Sequence, residues 1–363
     1  GAMATGWREI DGKWYYLKSS GAMHTGWLKI NGKWYYLKPS GAMTIGWQKI
    51  ENQWYDFKSN GEMVTGDYEI KGKINSFTTG GRWQGVWEKN SIGIWFKYPD
   101  GTYPKDQWAK LGGKWYHFDE KGYMLTHWLK INNKWYYLGK DGVMRTGWIK
   151  VNGKWYYMND SSAMQTGWLK LGDETYYLHN NGAMHTGWLE MDNKRYYMNE
   201  SGAMYTGWLE LDGNTYYFNN SGVMHTGWLK FNNSWYFMDN NGIMQTGWVK
   251  VNGKWYYMDN NGIMQTGWIK VNNKWYYMNQ SGAMHTGWLE LNGKIYYFDS
   301  SGAMQTGWVE LDNTWYLFGN DGLLQQKSIY NITFEEALAE QMKVKPQTDY
   351  YGGGWKNAKE EDV

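Results

Sequence analysis

Tryptophan returns every twenty residues along most of this chain, and that period limits the possible folds more than any other feature. Trp7, Trp27 and Trp47 open the column, Trp87 keeps step after one missing position, and beyond a single spacing of twenty-one an indole stands at every twentieth position from Trp108 to Trp308. A second column follows seven or eight residues later, at Trp14, Trp34, Trp54, Trp95, Trp115, Trp135, Trp155, Trp235, Trp255, Trp275 and Trp315. Together the columns hold 26 of the 28 tryptophans, so a repeating structural rule places them.

One unit reads Thr25-Gly26-Trp27-Leu28-Lys29-Ile30-Asn31-Gly32-Lys33-Trp34-Tyr35-Tyr36-Leu37, followed by Lys38-Pro39-Ser40-Gly41-Ala42-Met43. Two β-prone runs flank Asn31-Gly32, a dipeptide that accepts the positive φ values of a two-residue type I′ turn. Asp11-Gly12, Asn152-Gly153, Asp212-Gly213, Asn252-Gly253 and Asn292-Gly293 repeat it. The polar run ending in Gly41 predicts a looser turn into the next hairpin. A lone two-stranded hairpin is marginal in water, so each unit must bury a face on its neighbours. The expected fold is therefore all-β, an elongated solenoid of stacked hairpin repeats.

The rings set the chemistry. Of the 363 residues, 19% are aromatic, with 28 Trp and 32 Tyr, and such flat, polarizable surfaces suit contact faces better than an aliphatic core. Lys plus Arg (37) nearly balance Asp plus Glu (35), which leaves no basic field to hold a nucleic-acid backbone. The absence of cysteine excludes disulfides and thiolate metal sites, and no apolar run is long enough to form a transmembrane segment. No paired carboxylates identify a hydrolytic dyad. No catalytic residue, metal site or cofactor is therefore expected.

The repeat array is expected over residues 1–327, irregular at about 66–107, where Asp67 and Ile74 replace the two tryptophans. From Ser328 the period stops. Thr333-Phe334-Glu335-Glu336 resembles a capping box opening a short α-helix that ends before Pro346. Residues 328–363 thus read as a linker and the truncated start of a further domain, and the chain as a fragment of a longer protein.

With Asn31-Gly32 as the turn, Trp27 faces Tyr36 and Lys29 faces Trp34, so Trp27 and Trp34 share one face while Tyr35 points from the other. In a stack, Tyr55 of the next hairpin can close over Trp27 and Trp34. A cup of ring faces favours a soft, poorly hydrated cation, of which quaternary ammonium is the chief example. The first column persists where the second is lost, at Trp168, Trp188, Trp208 and Trp288, which also fits a packing role. The methionines serve equally well as spacers between hairpins. His24, His185, His225 and His285 share one repeat position and read as structural.

Gly-Trp, then Trp-Tyr-Tyr, then Gly-Ala-Met-x-Thr-Gly-Trp closely resembles the choline-binding repeats of Gram-positive bacterial and phage surface proteins. The resemblance implies a left-handed superhelix with choline held between consecutive repeats by two Trp, a Tyr of the following repeat and often a Met. Carried over by position, it implies cups at Trp7, Trp14, Met23 and Tyr35; at Trp27, Trp34, Met43 and Tyr55; at Trp108, Trp115, Met124 and Tyr136; and at Trp128, Trp135, Met144 and Tyr156. Four more fall at Trp148, Trp155, Met164 and Tyr176; at Trp228, Trp235, Met244 and Tyr256; at Trp248, Trp255, Met264 and Tyr276; and at Trp268, Trp275, Met284 and Tyr296. Thr175, Arg195, Thr215 and Ile295 replace the second Trp, and those repeats are expected not to bind choline. Trp47 with Trp54 meets Asn75 where the third ring belongs, and Trp87 with Trp95 lacks the Met.

The resemblance further implies an extracellular, cell-wall-associated protein whose partners are choline-substituted teichoic and lipoteichoic acids, with a choline-dependent homodimer as a further expectation. The rival reading is α-glucan recognition, since related aromatic repeats bind sugars. The tail Ile332-Thr333-Phe334-Glu335-Glu336-Ala337-Leu338 is similar to the segment preceding catalytic regions of some bacterial endo-β-N-acetylglucosaminidases. It implies a parent peptidoglycan hydrolase whose catalytic part lies beyond Val363.

Overall fold

The computed structural model describes residues 3–327. The expected helix after Thr333 and the rest of residues 328–363 lie outside the described residues. The chain divides into two compact units, Gly1–Gly187 with Met198–Met204, and Trp188–Tyr197 with Tyr205–Val363. Both are built from antiparallel hairpins of five-residue strands, such as Gly26–Ile30 with Lys33–Leu37 and Gly247–Val251 with Lys254–Met258. The fold is all-β and made of repeated hairpins, as the period predicts.

The turns form for the reason the dipeptides suggest. Asn31 and Gly32 have φ of 50° and 77°, and Asn132 and Asn133 have 49° and 61°, so both central residues are left-handed as a type I′ turn requires. The register follows: Gly26 pairs with Leu37, Trp27 with Tyr36, Leu28 with Tyr35, Lys29 with Trp34 and Ile30 with Lys33.

Burial concentrates in one column, the last residue of the second strand. Leu37, Phe77, Phe118, Leu138, Met158, Leu178, Phe218, Met258 and Phe298 are all fully buried. Each repeat thus contributes one aliphatic, methionine or phenylalanine side chain to a narrow core that the aromatic rings flank. The connector then turns back. Gly41 N–H donates to Lys38 O at 2.7 Å, Thr44 N–H to Tyr36 O at 2.8 Å, and Met43 is bridged to Leu37. Gly41 is left-handed at φ 79°, and the Met23 side chain lies where a Cβ would project, so both constraints favour glycine there, although Ser162 fills the equivalent position at φ 62°.

Residues 66–97 depart from this plan. Gly66–Ile70, Lys73–Phe77, Trp83–Lys89 and Ile94–Lys97 form one four-stranded antiparallel sheet, with a register shift at Ser76 and Phe77. Asp67, in the place of a first-column Trp, accepts a hydrogen bond from Ser76 Oγ and an ion pair from Lys114 at 3.2 Å. Trp87 Nε1 donates to Ser76 Oγ at 2.9 Å. A polar knot with a paired second strand thus replaces the aromatic connector.

Candidate functional site

Trp27 and Trp34 meet at right angles. Their ring centroids are 6.1 Å apart with planes at 88°, and Tyr55 of the following hairpin lies 5.0 Å from Trp27 at 70°. Trp27 also packs on Tyr36 at 5.2 Å and on Phe57 at 6.0 Å, so much of its surface is spent on the fold. Trp34 remains 41% exposed. The result is a corner of one structural indole, one outer indole and a phenol from the next unit.

The same corner recurs. Trp128 stands 6.3 Å from Trp135 and 4.9 Å from Tyr156, and Trp148 stands 6.4 Å from Trp155 and 4.9 Å from Tyr176. For Trp228 with Trp235 and Tyr256 the distances are 6.2 and 4.8 Å, for Trp248 with Trp255 and Tyr276 6.4 and 4.8 Å, and for Trp268 with Trp275 and Tyr296 6.3 and 4.9 Å. At the two remaining positions Trp7 meets Tyr35 at 5.1 Å and Trp108 meets Tyr136 at 5.3 Å, with Trp14 and Trp115 exposed beside them.

The backbone of each methionine is tied one repeat back. Met43 N–H donates to Trp14 O at 2.7 Å, Met63 to Trp34 O at 2.8 Å, and Met264 to Trp235 O at 2.8 Å. In the same way Met144 is tied to Trp115, Met164 to Trp135, Met184 to Trp155, Met284 to Trp255 and Met304 to Trp275. The reason is the path of the connector: after one hairpin it crosses back to the outer strand of the hairpin before it. The methionine side chains lie alike: Met23 is bridged to Leu17 and covers Gly41, and Met43 is bridged to Leu37 and covers Gly61.

Sequence reasoning missed one corner. Trp47 and Trp54 are 6.2 Å apart at 83°, and the third ring is Trp83, 5.3 Å from Trp47 at 76°. Asn75 does not supply a ring, but its Oδ1 accepts a hydrogen bond from Trp83 Nε1 at 3.1 Å and holds that indole in place. Trp83 is one of the two tryptophans outside the columns, which is the signal that could have found it. The pair Trp87 and Trp95 behaves differently. Trp87 is paired with Phe96 and Trp95 with Glu88, so the two indoles project from opposite faces. Their separation is eight residues, where Trp27 and Trp34 are separated by seven, and the change of parity reverses one face.

Repeats without the second Trp keep the rest of the arrangement. Trp188 meets Tyr216 at 5.1 Å, Trp208 meets Tyr236 at 5.0 Å and Trp288 meets Tyr316 at 4.8 Å. In the first of these the Arg195 guanidinium carbon lies 4.6 Å from the Trp188 ring centre, and its Nε is 3.1 Å from Glu190 Oε1. The chain's own cation is stacked on the first-column indole there. The histidines support the scaffold: Nε2 of His24, His225 and His285 lies 2.9 to 3.0 Å from the carbonyl oxygen of Trp27, Trp228 and Trp288. A carbonyl only accepts, so each of these Nε2 atoms carries the proton. Among the described residues, no group of three or more acidic or imidazole side chains could hold a metal ion.

Solved structures similar to this chain include choline binding protein F from Streptococcus pneumoniae, at 28% identity over 90% of this chain and 100% of that one, with a TM-score of 0.39. The modular autolysin LytC from Streptococcus pneumoniae is 24% identical over 66% of this chain and 52% of that one, with a TM-score of 0.39. The modular Cpl-1 endolysin is 40% identical over 43% of this chain and 47% of that one, with a TM-score of 0.28. This chain therefore spans about half the length of each of the last two. No curated protein matches it. The choline-binding repeat model matches residues 4–45, 44–85, 106–145, 145–186, 165–207, 185–225, 205–245, 245–286 and 285–324, and the chain belongs to the choline-binding repeat family.

Proposed function

We propose that this chain is a cell-wall-binding module that holds choline groups in its aromatic corners. The observation that carries the reading is the perpendicular indole pair with an exposed outer ring, closed by the phenol of the next hairpin. Ring faces attract a quaternary ammonium without needing hydrogen bonds, and each contributes roughly 0.5 to 2 kcal/mol. Three rings give on the order of 2 to 5 kcal/mol, which corresponds to about millimolar affinity or weaker at one corner. Repeated corners engaging a polymer with many choline groups raise avidity by roughly 10² to 10⁴.

The proposed ligands are choline-substituted teichoic and lipoteichoic acids, and the proposed location is the outer surface of a cell wall. The proposed binding residues are the two Trp, the Met and the Tyr of the eight cups, together with Trp47, Trp54 and Trp83. The proposed array ends at residue 327, and residues 328–363 lead toward a further part, for which a peptidoglycan hydrolase is the reading. Choline-driven pairing of two copies belongs to the same proposal.

Titration of intrinsic tryptophan fluorescence with choline and with isomaltose tests the central point. A saturable response to choline at millimolar concentration is expected, together with retention on a choline matrix and release by free choline. A response to isomaltose alone would replace this reading with α-glucan recognition.

A further inference from the structure

The Trp47 corner differs from the eight cups at one further place. In those cups a ring stands opposite the first-column indole and packs on it, as Tyr36 does on Trp27 at 5.2 Å, Tyr137 on Trp128 at 5.1 Å and Tyr257 on Trp248 at 5.1 Å. Opposite Trp47 stands Asp56. Trp47, Lys49, Trp54 and Asp56 share one face of this hairpin, because Trp47 pairs with Asp56 and Lys49 with Trp54. A carboxyl group therefore adjoins a perpendicular indole pair whose rings are 38% and 43% exposed.

Asp56 itself is only 6% exposed, which is costly for a carboxylate unless a donor or a cation meets it. Its backbone oxygen accepts from Val64 N–H at 2.8 Å, but among the described residues no donor reaches its carboxyl group. Lys49, the cation of the same face, is exposed and forms no ion pair with it. Burial accordingly raises the Asp56 carboxyl above its ordinary range, and no neighbouring charge opposes the shift. The hairpin does not require an acid here, since a ring fills this place in the eight cups. An acid in this setting gains most when a cation arrives from solution to pair with it.

Rings and acid select different cations. A quaternary ammonium has no N–H and is held by ring faces alone. A primary ammonium is compact and strongly hydrated, so an all-aromatic cup does not repay its lost water, whereas a carboxylate accepts a charge-assisted hydrogen bond from it. We propose that the corner of Trp47, Trp54 and Trp83 is a primary-ammonium site in which Asp56 is the counter-ion. The two indoles of the hairpin flank the bound group, Trp83, held by Asn75, closes over it, and Asp56 takes one of its N–H donors. The inference rests on reading the corners as cation sites and gives this one a ligand that the other eight refuse.

The test titrates the full chain, its tryptophans labelled with nitrogen-15, with choline and separately with ethanolamine, and reads the indole N–H shifts corner by corner. Ethanolamine is expected to move Trp54 and Trp83 at millimolar concentration and to bind about tenfold more weakly at Trp235, which choline moves. Asp56→Asn should weaken ethanolamine at Trp54 about tenfold or more, the share of a charge-assisted hydrogen bond. Trp54→Ala, which removes an exposed ring and leaves the acid, should weaken it at Trp83 by about the same factor. Ethanolamine that moves no indole of the Trp47 corner, that moves Trp235 equally, or that binds unchanged after Asp56→Asn overturns the counter-ion and leaves Asp56 as a neutral packing residue. Choline that moves no cup would instead overturn the choline reading, a separate outcome.

Discussion

The corner at Trp228 and the position at Trp188 begin from the same plan and end with opposite chemistry. In both, a first-column indole packs on the phenol of the next hairpin, at 4.8 Å to Tyr256 and 5.1 Å to Tyr216. At Trp228 the outer residue is Trp235, perpendicular, 6.2 Å away and 39% exposed. At Trp188 the outer residue is Arg195, whose guanidinium lies on the indole that the corner would offer a ligand. The contrast separates two jobs: the first column and the phenol pack one hairpin on the next, and under the proposed function the outer column decides whether a cation from solution can enter.

The sharpest way to test that division is to remove the first-column ring on both sides. Trp188→Ala and Trp228→Ala should each cost about 2 to 4 kcal/mol of unfolding free energy, read from urea midpoints, because each deletes a large ring from a packed joint. Only Trp228→Ala should also lower the choline stoichiometry. Stability losses that differ widely between the two would mean that the first column does not share one structural task.

Removal of the outer residue should act on binding alone. Trp235→Ala is expected to weaken choline at that corner about tenfold, the loss of one ring's share, with a stability change under about 1 kcal/mol because the ring is substantially exposed. A comparable loss of stability and binding would merge the two columns into one role. The reverse exchange, Arg195→Trp, should create one additional site of about millimolar affinity, counted by calorimetry. The ion pair it removes contributes little, since Glu190 is mostly exposed. If the new indole adds no site, something other than the outer residue closes this position.

The smallest effect concerns His117, which lies 4.9 Å from Trp108 and has no counterpart at the Trp228 corner, where Phe237 holds the equivalent place. Burial depresses the His117 imidazole below its ordinary range, against the opposing pull of Asp106 and a backbone hydrogen bond with Phe118. The unfolded chain takes up a proton at about pH 6.5 that the folded chain refuses. Its contribution to stability is therefore present above that pH and is lost as pH falls. Melting temperatures measured from pH 7 to 5 should decline less steeply in His117→Phe; an unchanged slope would remove His117 from the acid response.

Much of this was readable in the sequence because the hairpin is a local object. Asn31-Gly32 sets the turn, the turn sets the register, and the register puts Trp27 and Trp34 on one face. Nearest-neighbour stacking then supplies Tyr55. What stayed hidden depends on chain paths that no turn dictates. The connector of a later repeat returns to an earlier strand, which ties each methionine's backbone one unit back, and the extra strand pairing after Phe77 brings Trp83 to Trp47. The buried column of Leu37, Met158 and Phe218 is hard to read from sequence for another reason: its side chains vary in type from repeat to repeat, so no single residue marks it.

The opposite faces of Trp87 and Trp95 carry a consequence for how such arrays can change. In a hairpin of fixed register, moving one indole a single place along its strand carries it to the other face. A one-residue slip within a strand therefore separates the two rings, whereas a change confined to the turn leaves the cross-strand pairs, and the face they share, as they were. What keeps two indoles side by side is strand register, not the length of the loop that joins the strands.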